Sequence, residues 1–531
     1  MTSKPVLPVE EAAGLIRNGE TLTVSGIGGL LLPEKVLAAL EARFISEGEP
    51  RDLTWFDPSP TGAGPGFEHL AHEGMLKRVI ESYFTGKPEL TRMVVEEQVE
   101  AYSFGLGSLH LLTRDIATGR SGHLTKVGLN TYMDPRQQGG KLNRRAQEDL
   151  VELVEVKGDE YLFYKAFPIN VALIRGTTAD EEGNITMEEE PVSAGALFQA
   201  LAAKRSGGRV IAQVKRLAAK SSLHARQVVV PGLFVDAIVV DEQQHQSENF
   251  PDREVAGIDP RVRAPEPPRG YFINRQGKLQ DALPLDADKL VARRAALELR
   301  PGQVINAGGG IPHWVLMPLT LEEQCQDLID VSLEHGVLGG TQHGSAWHLN
   351  PTAFMDYQTT FTFFQGGGLD TTFLGMGEMD KEGNVNVCRF GGLLSGPGGA
   401  VDIAHDTKKI VFCGTFTAGV QIQATGGKLR IIKEGKARKL VDRVELVCFN
   451  GRQMWEQGKE VLYITERAVF RLGAEGPVLV EKAPGADVER DILQQMGFRP
   501  RIAPNLQEVD GCVFSPGLMG LRSRMTNLAE A

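Results

Sequence analysis

The sequence predicts an α/β protein made of two tandem, similar open α/β domains with mostly parallel sheets. Three observations carry this. Short apolar runs alternate with helical patterns along the chain, which is the mark of βαβ units. The 61 glycines among 531 residues fall in separate turns between those runs, where strand-to-helix connections need them. Three landmarks also recur, in the same order, in each half.

The first landmark is a helix, a turn and a strand ending in glycines. It spans 12–19 then 22–29 in the first half, and 295–302 then 304–310 in the second. The second is an acidic turn, Asp180-Glu181-Glu182-Gly183-Asn184 against Asp380-Lys381-Glu382-Gly383-Asn384. Asp, Gly and Asn suit a tight turn with positive φ. The third is a basic residue ahead of a buried-type strand, at 204–214 and 408–413. A spacing this long is duplication of a large unit, since solenoid periods are far shorter. The Pro- and charge-rich stretch from Asp259 to Arg269 marks the join, and the first helix of the second half is expected near Asp286. The expected domains are therefore 1–285 and 286–531.

Bulk properties bound the function. The chain is 42% hydrophobic and 24% charged, ordinary globular values, and too long for one core. A net charge of −11 argues against nucleic acid as a partner, because phosphate neutralisation needs clustered Lys and Arg. It leaves room for a small anionic ligand. Cys325, Cys388, Cys413, Cys448 and Cys512 are scattered and without CxxC spacing. Neither a zinc site nor a disulfide framework follows, and a reducing cytoplasmic location fits. The first six residues form no apolar signal core, and no run of ~18 apolar residues predicts a membrane span.

The most informative stretch is Asp330-Val331-Ser332-Leu333-Glu334-His335-Gly336. It reads as an apolar strand halted by a glycine-bounded turn, with Glu334 at the strand end. Ligands of open α/β sheets bind at strand ends, so Glu334 is a candidate nucleophile or base. A strand-end glutamate is more often a solvated loop residue. The surrounding glycine turns alter that balance: Gly26-Ile27-Gly28-Gly29 before Pro33-Glu34, Gly308-Gly309-Gly310, Gly366-Gly367-Gly368, and Ser395-Gly396-Pro397-Gly398-Gly399. Backbone N–H groups in such turns can donate to an oxyanion or to phosphates. A pocket shared with Glu334 accounts for them better than unrelated loops do. His335 reads as a turn residue, because neighbours on a strand face opposite ways. The run Glu188-Glu189-Glu190 reads as a solvated face. HExxH does not occur, so no metal is expected, and GxSxG does not occur either, which argues against a serine hydrolase.

Taken together, these motifs resemble family I CoA-transferases. The resemblance rests on Glu334-His335-Gly336, Gly366-Gly367-Gly368-Leu369-Asp370, Glu378-Met379-Asp380, Gly383-Asn384-Val385, Gly398-Gly399 and Lys408 to Thr415. The stretch Gly128 to Asn143 is similar to the single-chain acetate/propionate/3-ketoacid branch, in which α-like and β-like halves are fused. The resemblance implies a ping-pong transfer of CoA from an acyl-CoA to a free carboxylic acid, short-chain or 3-keto, through a glutamyl–CoA thioester. It makes Glu334 the nucleophile and Gly399 the oxyanion donor. Leu106, Gly28 and Gly29 then form the substrate pocket, and Gly308, Gly309, Gly310, Gly366, Gly367, Gly368 and Gly398 the CoA cradle. It implies no cofactor beyond coenzyme A as substrate, and a homo-oligomer, dimer or tetramer. Leu106 departs from the family pattern, which has a glutamine there. That opens two alternatives on the same glutamate: transfer to a larger apolar acid, or hydrolysis of acyl-CoA. A non-catalytic ligand-binding module is a third reading.

Overall fold

The computed structural model describes residues 3–59, 65–245, 270–273, 279–343 and 347–530. The expected join, Asp259 to Arg269, lies outside these residues. The first half holds β1 (Thr21–Val24), β2 (Leu53–Asp57), β3 (Leu76–Glu81), β4 (Glu100–Ser103), β5 (Val171–Asp180), β6 (Arg209–Ala218) and β7 (Ala237–Val240). Their spatial order is β7-β6-β5-β1-β2-β3-β4, parallel throughout. All ten positions of β5 are buried, as expected for a parallel strand covered on both faces.

The second half repeats the plan. Strands β8 (Val304–Ala307), β9 (Asp330–Val331), β10 (Thr371–Gly375), β11 (Lys409–Cys413) and β12 (Glu460–Ile464) lie in the order β9-β8-β10-β11-β12, again parallel. Further strands extend this sheet past β12, beginning with two antiparallel ones. The first half also carries a separate three-stranded antiparallel sheet. In both main sheets the winding direction reverses beside the first strand, which places ligand sites outside the carboxyl ends there.

Helices cover the faces: α1 (Glu34–Glu47), α2 (Leu106–Ala117), α3 (Ala196–Arg205), α4 (Ala287–Ala296), α5 (Tyr357–Gln365) and α6 (Ala400–Asp406). The Asp286 carboxylate caps α4 by accepting the Lys289 N–H at 2.9 Å. The acidic turns match bond for bond. Asp180 accepts from the backbone of Glu182 and Asn184 and from the Asn184 amide, and Asn184 accepts the Gly232 N–H. Asp380 and Asn384 repeat this, with Gly451 in place of Gly232.

One apolar cluster crosses between the halves, joining Ile27, Leu30, Leu106 and Leu111 to Tyr357, Phe361, Phe364 and Ile403. Each such side chain contributes ~1.5–3 kcal/mol on burial, so the two units share a core. The glutamate run is only partly a solvated face. Glu190 is 3% exposed and pairs with the buried Arg175 at 3.0 Å, because the chain turns inward after Glu189.

Candidate active site between the halves

Glu334 sits where the sequence suggested, just past β9. The turn Leu333-Glu334-His335-Gly336 closes through the Gly336 N–H to the Leu333 carbonyl at 3.0 Å. Gly336 has φ 97°, and a Cβ there would stand 1.8 Å from the Met355 carbonyl oxygen. Only glycine satisfies both demands, so the residue two after the glutamate fixes the turn that presents it. His335 occupies the turn and is buried.

The Glu334 carboxyl lies above its ordinary value of 4.5 because it is buried; hydrogen bonds from its own backbone N–H and from Asn306 pull the other way. No cation pairs with Glu334 among the described residues. Asn306, fully buried on β8, is itself fixed: its amide donates to the Ser332 carbonyl at 3.0 Å and accepts from the Thr372 hydroxyl at 3.3 Å. The carboxylate is thus desolvated and oriented by dipoles rather than neutralised, which keeps it available for attack.

Gly399 stands against it. A Cβ on Gly399 would lie 3.8 Å from the Glu334 Cβ. Its N–H precedes α6 and meets no acceptor among the described residues, so it is open to an oxyanion formed beside Glu334.

The loop carrying Gly399 docks on the first half. The Gly398 N–H donates to the Ser82 carbonyl at 2.9 Å, and the Gly398 carbonyl accepts the Leu106 N–H at 2.9 Å. From α6, Asp402 reaches across to the start of α2. It accepts the Gly107 N–H at 3.0 Å, the Ser108 N–H at 2.8 Å and the Ser108 hydroxyl at 2.9 Å. A side chain at Gly105 or Gly107 would collide with Asp402, and one at Gly107 with Phe361 as well. Burial raises the Asp402 carboxyl to about 6. This seam fixes Leu106, fully buried at the first turn of α2, beside the Glu334 turn.

Between the halves lies a cavity of about 570 Å³, the size of a small-molecule site. Of the residues singled out from sequence, Glu334, Gly399, Gly398, Leu106, Gly28, Gly308, Gly309 and Gly310 line it. Gly29 does not. It is buried in the two-residue turn Gly28-Gly29, φ 57° and 87°, between the paired residues Ile27 and Leu30. Gly366, Gly367 and Gly368 are corrected outright. They end α5, with N–H groups donating to Thr362, Phe364 and Phe363 carbonyls. They therefore stand at the amino end of β10, the opposite end of the sheet from Glu334. Their glycine character serves helix termination and the packing of Phe363 against Gly368.

Sequence reasoning missed Asn306, Asp402 and Lys439. Asn306 had a signal, a polar residue inside the apolar strand Val304-Ile305-Asn306-Ala307. Lys439 lines the cavity from a segment with no motif. Among the described residues no cluster of His, Cys, Asp and Glu could hold a metal ion, and no helix is long and apolar enough to cross a membrane.

The coenzyme A transferase family model matches residues 6–241. The chain is 39% identical to an acetate CoA-transferase, YdiF, of Escherichia coli K12, over 97% of this chain and 96% of that one. It is also 39% identical to a caffeate CoA-transferase of Acetobacterium woodii, over 98% and 99%. The fold superposes, with a TM-score of 0.87 at 37% identity, on a crystal structure of the Escherichia coli O157:H7 acyl-CoA transferase YdiF in a thioester complex with CoA, covering 98% of this chain and 97% of that one.

Proposed function

The chain belongs to the coenzyme A transferase family with its α-like and β-like halves fused, and from that premise we propose that Glu334 transfers CoA by a ping-pong route through a glutamyl–CoA thioester. The observation that carries this is the half-buried, cation-free Glu334 carboxylate facing the cavity beside the open N–H of Gly399.

The steps balance without a net proton. One Glu334 oxygen attacks the thioester carbonyl, and the Gly399 N–H receives the oxyanion. Collapse expels CoA thiolate and leaves an acyl–glutamyl anhydride. The thiolate attacks the glutamyl carbonyl, freeing the first acid as carboxylate and leaving CoA on Glu334. A second carboxylate attacks that thioester, the thiolate leaves, and its return to the new acyl carbonyl regenerates Glu334. Desolvation strengthens each charge–dipole contact on this path. The shared apolar cluster and the Asp402 seam keep water from the anhydride, which favours transfer over hydrolysis.

The acid is a monocarboxylic one. Leu106, Ile27 and Ile403 line the cavity with Glu334, an apolar surround that favours an acid with a single carboxylate. Acetate, propionate or a short 3-keto acid is the first reading. The apolar Leu106 in place of a side-chain amide favours a second, a bulkier apolar acid. The two 39% identical relatives named above act, by their names, on acids of either kind. We place the protein in a homo-oligomer, with coenzyme A as substrate and no further cofactor.

The test is direct. Incubation with acyl-CoA and no acceptor should add the mass of CoA less water to the intact protein, at Glu334, and borohydride should remove it. If no adduct forms while acyl-CoA is consumed at the same rate with and without acceptor, the enzyme is a hydrolase and the transfer mechanism is wrong.

A further inference from the structure

Cys388 and Cys448 are buried, at 0% and 3% exposure, and neither takes part in the chemistry above. Both belong to the second half of the chain, yet both pack into the apolar core of the first. They meet around Asn386. Its side-chain oxygen accepts the Cys388 N–H at 3.0 Å and the Cys448 thiol at 3.8 Å. The Cys448 N–H donates to the Val385 carbonyl at 2.9 Å. The two thiols are also hydrogen-bonded to each other. From the first half, the Tyr132 hydroxyl reaches Cys388 and donates to Ser103 at 3.2 Å, while the Tyr132 N–H donates to the Val447 carbonyl at 2.8 Å. Tyr132 belongs to the stretch Gly128 to Asn143, for which the transfer chemistry has no use.

The pair lies directly behind the oxyanion loop. The Cys388 carbonyl accepts the Ser395 N–H at 2.7 Å and the Gly396 N–H at 3.1 Å, at the start of the loop that ends in Gly399. Val387 and Ser395 line the cavity, so Cys388 stands one residue behind its wall. The hydrogen bond with Cys448 holds the Cys388 thiol below its ordinary value; burial opposes this, and Tyr132, Ser103 and the Arg389 charge add to it. The thiolate is the nucleophilic form of cysteine. A disulfide holds its sulfurs at ~2.0 Å with a set torsion, closer than a thiol–thiol hydrogen bond does. Forming one here must draw Cys388 toward Cys448 and remove the hydrogen that Asn386 accepts.

We propose that Cys388 and Cys448 form a redox switch on the oxyanion loop, closed to a disulfide by a hydroperoxide and reopened by a thiol; its effect on transfer rests on the Glu334 and Gly399 reading. The Cys388 thiolate attacks the terminal peroxide oxygen. The O–O bond breaks, and the other oxygen leaves as water or alcohol with the proton that Cys388 released. Cys388 is then a sulfenic acid. The Cys448 sulfur attacks the Cys388 sulfur, the S–S bond forms as the S–O bond breaks, and the hydroxyl leaves as water with the Cys448 proton. Two electrons pass from the thiols to the peroxide. The Cys388 carbonyl moves with its sulfur and carries Ser395 and Gly396, so the Gly399 N–H goes out of line with Glu334. A misplacement of ~1 Å at a reacting centre costs up to about a hundredfold in rate.

The test is a titration of the reduced protein with hydrogen peroxide. Intact mass should fall by two hydrogens, and peptide mapping should join Cys388 to Cys448. The kcat for transfer should fall by about tenfold or more and return with dithiothreitol. Cys448→Ala should keep the activity of the reduced protein and be spared the loss. Cys512→Ala, which removes a half-buried thiol outside the pair, should lose activity on oxidation as the wild type does. Absence of the Cys388–Cys448 cross-link, a cross-link that leaves kcat unchanged, or an equal loss in Cys448→Ala overturns the proposal. The mapping is read on the wild type, so it stands even where a variant fails to fold. Failure of the Glu334 reading shows elsewhere, as turnover of acyl-CoA by the reduced protein without a CoA adduct. The cross-link and its effect on that turnover are scored in either case.

Discussion

Two strand-end carboxylates occupy corresponding places in the two halves, and only one is paired with a cation among the described residues. Asp57 ends β2, the neighbour of the first strand of its sheet. Glu334 follows β9, the neighbour of the first strand of the other. Asp57 is fully buried, accepts the Ser59 N–H at 3.0 Å and faces Lys87 at 3.5 Å, and Lys87 also contacts Glu81. Glu334 has dipoles instead of a cation. The same scaffold position holds a lysine-paired carboxylate in one half and a carboxylate held by dipoles in the other, and the proposed chemistry belongs to the second. What separates the two is the company of the carboxylate, since both stand at the end of a parallel strand.

The largest expected effect comes from removing the member proposed as nucleophile. Glu334→Ala should lower kcat for transfer by about 10⁴-fold or more, as loss of a covalent nucleophile does, with no CoA adduct by intact mass. An adduct on that variant would end the assignment. Removing the cation from the other member should instead cost stability. Lys87→Met removes the cation that faces two buried carboxylates, for about 3–5 kcal/mol in chemical denaturation. If stability is unchanged and transfer collapses, Asp57 belongs to the chemistry after all.

Smaller effects probe the surroundings of Glu334. Gly399→Pro deletes one N–H and should lower kcat by about 10²–10³-fold. Gly399→Ala keeps the N–H and asks only that Ile403, 3.0 Å from the new methyl, give way slightly, so it should stay far more active. The pH profile follows from the raised Glu334 carboxyl. The nucleophile is the ionised form, so activity should fall toward acid with a midpoint above 4.5; a midpoint at or below it would show that the carboxylate is solvated. Leu106→Gln should shift the preference between an apolar acid and acetate by about tenfold toward acetate, read from the ratio of kcat/KM values.

The architecture was legible because it is written twice. The acidic turns and glycine-ended strands announce the duplication locally, through residues a few positions apart. The site was legible where one residue type has one use, as with Gly336 behind Glu334. It failed at Gly366 to Gly368, because glycine ends a helix as readily as it cradles a ligand, and the choice depends on which end of β10 the loop reaches. Asp402 was invisible for another reason. Its partners Gly107 and Ser108 lie nearly three hundred positions away, and an aspartate inside a short helix carries no sign of them.

That carboxylate has a consequence for assembly. The seam is made by Asp402, by the Gly398 backbone and by a shared apolar cluster, and each contribution comes from folded parts of both halves. The connecting peptide is needed for none of these contacts. What covalent linkage supplies is proximity: the encounter of the halves becomes intramolecular, and the two are always made in equal number. Fusion therefore changes how often the active site forms, while its shape is set by a few contacts across the seam.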